Sequence, residues 1–319
     1  MNLSIVKYQS RSLLQLELLY LDKNNLFYRA CLGRKGVVIA ARYIMKHSEQ
    51  SENPYRDEYT SQQRKNWYSN AADAYNRTRP RYPQEIVSRV VELAQLPANA
   101  SILELGCGPG TATTAFADLG FSMVCLEPSQ ESCQLARQNC SHYPNVEIVN
   151  TTFEEWELEA ERFNAVLAAT SFHWISPEIR YLKAANALKG NGFLILLWNI
   201  PLQPQDEVYR MLSEIYQTQA PSLRLYEDRE THESQLRALG QAVIDSGCFK
   251  GLVSEHLAYE VRYSIDDYLA LLSTLSPCIA IEPLNRDSLF TGLREVLERD
   301  WGKSFQVSCL STFHVAQKI

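Results

Sequence analysis

The sequence predicts an α/β fold, a doubly wound and mostly parallel sheet of seven strands carrying helical lid insertions. Three observations lead there. From Trp67 onward, short apolar runs alternate with amphipathic stretches at intervals of about 20 to 30 residues, the rhythm of strands joined by right-handed helical crossovers. The first of these runs contains an acid and feeds a glycine-rich turn, so that Ile102 to Gly110 reads ILELGCGPG. The second, FSMVCLE, closes on another acid, Glu127, 17 residues after Gly110.

The elements follow in order. Ser69 to Tyr75 reads as a short helix. The segment YNRTRPRYP (Tyr75 to Pro83) must then be partly extended, because Pro80 and Pro83 push Arg79 and Tyr82 out of the helical region. Gln84 to Gln95 is an amphipathic helix with Ile86, Val87, Val90, Val91 and Leu93 inward, stopped by Pro97. Strands are expected at Ser101 to Leu105, Phe121 to Leu126, Val146 to Asn150, Phe163 to Ala169 and Phe193 to Trp198. Between them lie helices at Thr111 to Leu119, capped by Gly120, at Gln130 to Cys140, and at Arg180 to Leu188, ended by Gly190. Gln235 to Ser246 is a further helix, and Leu252 to Glu260 and Phe305 to Ala316 complete the seven strands. Two helical stretches have no place in a minimal sheet. One is Gln205 to Gln219; the other opens at Ser264, with Asp267 three residues on as in a capping box, and continues through YLALLSTLS.

Residues 1 to about 44 stand apart, with apolar runs at Leu13 to Leu21 and Gly36 to Ile44 but no sustained period, and Met45 opens a polar segment. Two readings follow, translation from Met45 or a genuine N-terminal extension. The division expected is an N-terminal extension over 1–60 and one domain over 61–319, with lid insertions at about 201–235 and 261–300.

At 319 residues with 45% apolar side chains, the chain can bury one large core or two smaller ones. A net charge of −6 argues against a nucleic-acid partner, which normally leaves a basic face. Eight cysteines show no C-x-x-C pair and no Cys/His ligand spacing, so they read as reduced, buried small hydrophobes with no metal site. No stretch approaches the length of a membrane span, and Ser12 to Leu21, broken by Gln15 and Glu17, makes a poor signal peptide. A cytoplasmic protein, monomer or homodimer, is expected.

Glycine spacing narrows the ligand. A dinucleotide fold places its third glycine at G-x-G-x-x-G, where Thr111 stands here; Gly110 falls one residue early and Glu104 precedes Gly106 by two. Taken alone, such a turn is equally a tight βα connection. The second acid, at the spacing of a ribose contact, favours nucleotide binding. The resulting E-x-G-x-G-x-G pattern resembles motif I of the class I S-adenosylmethionine-dependent methyltransferases.

That resemblance extends in order from Trp67 to Ile319. FEEW (Phe153 to Trp156) is similar to the family position whose acid reads the adenine amino group, AATSFHWI (Ala168 to Ile175) to the "FHW" variant of motif IV, and YNRTRPRYP to the lead-in of type 11 methyltransferases, some of them trans-aconitate-type enzymes of small acids. It implies a Rossmann-like domain that binds S-adenosylmethionine and methylates a small molecule. It also implies Glu127 as ribose acceptor, Glu154 as adenine reader beside Phe153, and Arg79, Glu104, Gly106, Cys107, Gly108, Gly110, Pro128 and Thr170 around the cofactor. Two departures stand out: Asn164 replaces the usual acid of the fourth strand, at its start and away from the cofactor, and Glu replaces the commoner Asp at 127.

A sulfonium methyl is already activated, so alignment and exclusion of water do most of the work. If the nucleophile must lose a proton, His173 is the candidate base, with Tyr82 behind it, and Tyr82, His173 and Trp174 are the expected acceptor contacts; a structural histidine is the plainer reading. Arg77, Arg79 and Arg81 alternate along expected extended backbone and could share a face, with one of them on the methionine carboxylate or an acidic acceptor; the alternative is three solvated arginines around a turn. The competing class is a cofactor-binding fold that has lost catalysis and serves as a regulatory subunit, with an NAD-dependent oxidoreductase behind it.

Overall fold

A computed structural model of the chain describes residues 18–21, 27–30, 59–200, 203–204, 206–221, 223 and 229–319. The chain divides into two units, Met1–Ser51 and Glu52–Ile319. In the first, β1 (Leu18–Leu21) pairs antiparallel with β2 (Phe27–Ala30). The run Gly36 to Ile44 and the candidate start at Met45 lie outside the described residues.

The second unit opens with α1 (Ser61–Thr78), which begins eight residues before the expected Ser69. Its start is fixed by Thr60 and Gln63, which form a reciprocal capping box that the short apolar pattern hid. Arg79 ends it in extended backbone ahead of Pro80. Helix α2 (Gln84–Leu93) buries Ile86, Val87 and Val90. The alternation then runs β3 (Ser101–Leu105), α3 (Thr113–Ala117), β4 (Ser122–Leu126), α4 (Gln130–Asn139), β5 (Val146–Val149), β6 (Phe163–Ala169), a single tight turn over Phe172–Trp174, α5 (Pro177–Ala187) and β7 (Leu188–Asn199). Gly190 lies inside β7, because the chain leaves α5 directly into extended structure at Leu188.

After β7 come the two-residue strand β8 (Gln203–Pro204), α6 (Asp206–Gln219), α7 (Arg229–Asp245), β9 (Phe249–Ser264), α8 (Ile265–Leu272), α9 (Ser276–Ile279), α10 (Pro283–Asp300) and β10 (Ser304–Lys318). At the start of α8, Ser264 caps the Asp267 N–H at 3.1 Å and its hydroxyl donates to the Asp267 carboxylate at 2.9 Å. This is half of the expected box.

The sheet order is β5-β4-β3-β6-β7-β10-β8, the two-residue β8 pairing antiparallel with β10 and β9 also pairing with β10. The first five strands are parallel, whereas β10 runs antiparallel to both β7 and β9. Strand order therefore reverses at β3 and β6, where α/β sheets of this kind hold ligands outside the strands' carboxyl ends. One core cluster joins α2, β3, α3 and β6 through Val87, Val90, Ile102, Phe116 and Leu167. A second is built by the two insertions together: Val208 and Leu212 of α6 meet Tyr268 and Leu272 of α8, Leu289 and Leu293 of α10, and Phe305 and Val307 of β10. The insertions thus form one cap with its own apolar centre.

Candidate active site

A cavity of about 330 Å³ opens at the carboxyl ends of β3, β4 and β6. Its floor is the turn after β3. Gly106 and Cys107 donate their N–H groups to the Leu126 carbonyl at 2.8 and 3.0 Å, which ties the turn to the end of β4. Gly106 sits at φ +68°, and a Cβ there would lie 2.8 Å from that of Ser171, whose hydroxyl bonds the Leu105 carbonyl. Gly108, at φ +56°, is different: a Cβ there would meet nothing within 4 Å, because it would project into open space beside the cavity that Gly108 lines.

Glu127 ends β4 facing this turn, 7% exposed. One carboxylate oxygen accepts from the Gly108 N–H and the other from the Ser129 N–H, both at 2.8 Å. Burial outweighs these bonds and raises its pKa to about 7. Because each oxygen has a further lone pair, the carboxylate retains capacity for two hydroxyl donors. Pro128 and the segment Thr151 to Glu154, after β5, continue the wall on this side. Phe153 is buried, while the exposed Glu154 carboxylate accepts from the Ser176 N–H at 3.0 Å.

The opposite wall is the end of β6. Thr170 holds φ +57°, a rare conformation for a β-branched residue. It sends the chain back so that Ser171 meets Gly106 and His173 and Trp174 face the cavity. The His173 ring lies between Trp174 and Trp198, with centroids 5.0 and 5.4 Å away. Tyr68 of α1 meets Trp174 edge-on at 5.9 Å. Leu275, Ser276 and Pro277, after α8, also line the cavity, and Ser276 shares a 3.0 Å hydrogen bond with the Tyr68 hydroxyl.

Residues 102–192 match the family model described as a methyltransferase domain. Over those residues the chain is similar to a methyltransferase domain. An uncharacterized methyltransferase of Mycobacterium tuberculosis is 33% identical over 133 residues, 41% of this chain and 51% of that protein. An uncharacterized methyltransferase-like protein of Schizosaccharomyces pombe is 30% identical over 136 residues, 42% and 52%. The chain spans about half the length of the curated relatives it matches. Among solved structures, a putative type II methyltransferase from Anaeromyxobacter dehalogenans superposes with a TM-score of 0.56 at 20% identity, over 75% of this chain and 97% of that one, which speaks to the fold.

The cavity brings together Arg79, Gly106, Gly108, Glu127, Pro128, Phe153, Glu154, Thr170, His173 and Trp174. Glu104 is elsewhere. It is fully buried behind the turn, where one oxygen accepts from the Thr113 hydroxyl at 2.6 Å and the other has no hydrogen-bond partner among the described residues. Burial raises its pKa to about 7. It ties the end of β3 to α3 and does not line the cavity. Gly110 also stays outside the lining, packed where a Cβ would come 3.4 Å from Cys140 Sγ. Cys107 lines only a small recess beside the cavity, and Cys125 and burial push its thiol pKa up, so it is a filler rather than a nucleophile.

Tyr82 is 8% exposed, lines only that recess, and shares a 2.9 Å hydrogen bond with the Thr170 hydroxyl; burial pushes its pKa well up. The three arginines do not share a face, because α1 runs through Arg77. Arg77 pairs with Asp267, Arg81 donates to the Asn76 carbonyl, and Arg79 alone reaches the cavity. There it donates to both the hydroxyl and the carbonyl of Thr274, each at 2.8 Å, and lies over the Tyr75 ring. Asn164, at the start of β6, accepts from the Ser101 N–H and from Lys189, away from the cavity.

Sequence reasoning missed Tyr68, Asn199, Leu275, Ser276 and Lys183. The first four line the cavity from α1, β7 and the cap, and none stands in a motif. Lys183 of α5 holds the carbonyls behind Phe153 and Glu154. Among the described residues no group of His, Cys, Asp and Glu side chains is arranged to hold a metal, and no helix is long and apolar enough to cross a membrane. Cys107, Cys125, Cys133, Cys140, Cys278 and Cys309 are buried and Cys248 half-buried, all as free thiols.

The residues present fit S-adenosylmethionine. Bare backbone at Gly108, a buried carboxylate at Glu127 with spare acceptor capacity, and a wall containing Pro128 and Phe153 suit a nucleoside carrying an amino-acid tail.

Proposed function

We propose that this protein transfers the methyl group of S-adenosylmethionine to a small organic acceptor. The observation that carries the reading is the meeting, on one cavity, of four segments far apart in sequence: the glycine turn, Glu127, Thr151 to Glu154, and Thr170 to Trp174. Glu127 would take the ribose hydroxyls, Glu154 and Phe153 the adenine, and the backbone around Gly106 and Gly108 the methionyl portion, with Arg79 near its carboxylate. When bound, the cofactor supplies an electrophilic methyl on a sulfonium.

The chain's own residues orient the acceptor and keep water away. Trp174 and Tyr68 form an aromatic side to the acceptor space, and Leu275 to Pro277 cover it. His173 is the group on that wall able to take a proton from the acceptor. A covered cavity on a chain of net charge −6 suits a small molecule better than nucleic acid, which needs an open basic groove. Small acids, the acceptors of the trans-aconitate-type enzymes that the lead-in segment resembles, belong to the first group to test.

Calorimetry with S-adenosylhomocysteine tests the binding half; NAD serves as the control and is expected not to bind. A metabolite screen with cofactor carrying a labelled methyl tests transfer. Efficient labelling of tRNA or of a folded protein would overturn the small-acceptor reading.

A further inference from the structure

We propose that Lys183 is a positioning residue for the nucleoside half of the cofactor, and that it acts by holding the turn Thr152 to Trp156 in the shape that lines the cavity. This rests on the cofactor reading above. After β5 the chain makes a single helical turn. The Trp156 N–H bonds the Thr152 carbonyl at 3.0 Å, and the Glu155 N–H is taken by the Thr152 hydroxyl at 3.1 Å. In such a turn the N–H groups point toward its start and the carbonyls toward its end, and each end needs partners.

The start, Thr151 to Glu154, lines the cavity. The carbonyls converge behind it on one ammonium. Lys183 Nζ donates to the carbonyls of Phe153 at 2.7 Å, Glu154 at 3.1 Å and Trp156 at 2.6 Å. An ammonium has three donors and no acceptor, so these three bonds use its full capacity. The Phe153 and Trp156 rings stack at 6.2 Å and 20°, and the same ammonium lies 5.1 and 5.9 Å from their centroids.

A surface lysine usually points at water and contributes little. This one reaches back from α5 to three main-chain oxygens of a single turn, and Lys183 itself does not line the cavity. Its effect on a ligand must therefore pass through the turn that carries Phe153 and Glu154. Arginine would not reproduce it, because a planar fork cannot aim at three carbonyls converging on one point.

Calorimetry on the full chain with two probes, adenosine and S-adenosylhomocysteine, tests the proposal. Lys183→Met is expected to weaken both by the same factor, about tenfold or more, since charge-assisted bonds to the turn are lost and both probes carry the nucleoside. Lys183→Arg should lose less, but measurably. A folded Lys183→Met variant, checked by its ligand-free melting curve, that binds both probes with wild-type affinity would overturn the proposal, as would loss confined to S-adenosylhomocysteine. Should the Met variant not fold, wild-type affinity in Lys183→Arg overturns it instead. A folded wild-type chain that binds neither probe removes the cofactor reading, and this proposal falls with it.

Discussion

The Tyr82 hydroxyl lies 2.9 Å from Thr170 Oγ1, and Thr170 is the β-branched residue held at φ +57° where β6 turns into the cavity wall. The same Thr170 oxygen faces the Asn199 N–H at 3.4 Å, so the strained turn is gripped from the lead-in segment and from the end of β7. Such conformations persist where surrounding contacts over-determine them. Tyr82→Phe removes one grip without touching the main cavity. It should lower stability by about 1 kcal/mol and leave S-adenosylhomocysteine affinity nearly unchanged. Chemical denaturation and calorimetry measure the two; a tenfold loss of affinity with unchanged stability would return Tyr82 to the binding wall.

Gly106 and Gly108 should fail in different ways. Both occupy left-handed backbone, so an alanine costs about 1–2 kcal/mol at either. At Gly106 the new Cβ also overlaps Ser171 at 2.8 Å, and the ligand-free protein should melt markedly lower. At Gly108 the Cβ enters open space, so ligand-free melting should change less while S-adenosylhomocysteine binding suffers. Equal ligand-free melting temperatures in the two variants would contradict the close approach of Ser171.

Much of this was legible because the relevant chemistry is local. A strand that ends at Leu105, glycines at 106 and 108, and an acid closing the next strand at 127 are neighbours along the chain and become neighbours in space through one parallel strand pair. Regular crossovers made the sheet readable for the same reason. What escaped is non-local. Arg79 grips Thr274 and Lys183 grips the Phe153 carbonyl, contacts across 195 and 30 residues that no spacing rule announces. Glu104 was read as a ligand contact because strand alternation gives a side, not a depth; only packing shows that its side faces α3. The arginine face had a similar source: Pro80 restricts only Arg79, so α1 continues through Arg77 to Thr78 and only Arg79 is extended where the helix ends.

Glu104 should leave a signature in the pH dependence of stability. Its folded pKa is about 7 against 4.5 in the unfolded chain, because burial penalises the carboxylate. Between those values the folded form holds a proton that the unfolded chain has released, so this group's contribution falls as pH rises through the window. His314, buried and lowered to about 4 from 6.5, acts in the opposite sense over part of that range, so a difference measurement is needed. Glu104→Gln, which cannot ionise, should gain stability relative to wild type from pH 5 to pH 8. The gain should be on the order of 3 kcal/mol at most. Parallel melting curves for the two proteins across that range would show that Glu104 does not titrate there.

Glu127 shares the raised pKa but lines the cavity, and on the proposed cofactor reading its binding consequence has the opposite sign. A carboxylate accepts from ribose hydroxyls better than the neutral acid, so affinity for S-adenosylhomocysteine should climb as pH rises through about 7. Glu127→Ala should cost about 1.5–3 kcal/mol of binding and abolish that climb. The variant also frees the Gly108 and Ser129 N–H groups, so Glu127→Gln, which keeps one acceptor oxygen, should fall between. Unchanged affinity in the Ala variant at pH 8 would remove the ribose assignment.

His173 is the remaining test of chemistry as against shape. Its ring is held between Trp174 and Trp198 and opens on the cavity, on the wall formed by β6 and covered by Leu275 to Pro277. In the proposed arrangement Glu127 and Glu154 hold the nucleoside and His173 faces the acceptor, so substitution is expected to spare cofactor affinity. If His173 takes a proton from the acceptor, His173→Ala lowers kcat by about 10²-fold or more on the acceptor found by screening. His173→Asn separates the two roles, because it keeps a polar side chain and much of the volume but cannot act as a base near neutral pH. Low turnover in both variants, with loss of the rising limb of the wild-type pH profile, marks His173 as the base. Recovery of most of the rate in the Asn variant makes it a wall of the acceptor pocket, and near-normal turnover in the Ala variant ends the case for either role.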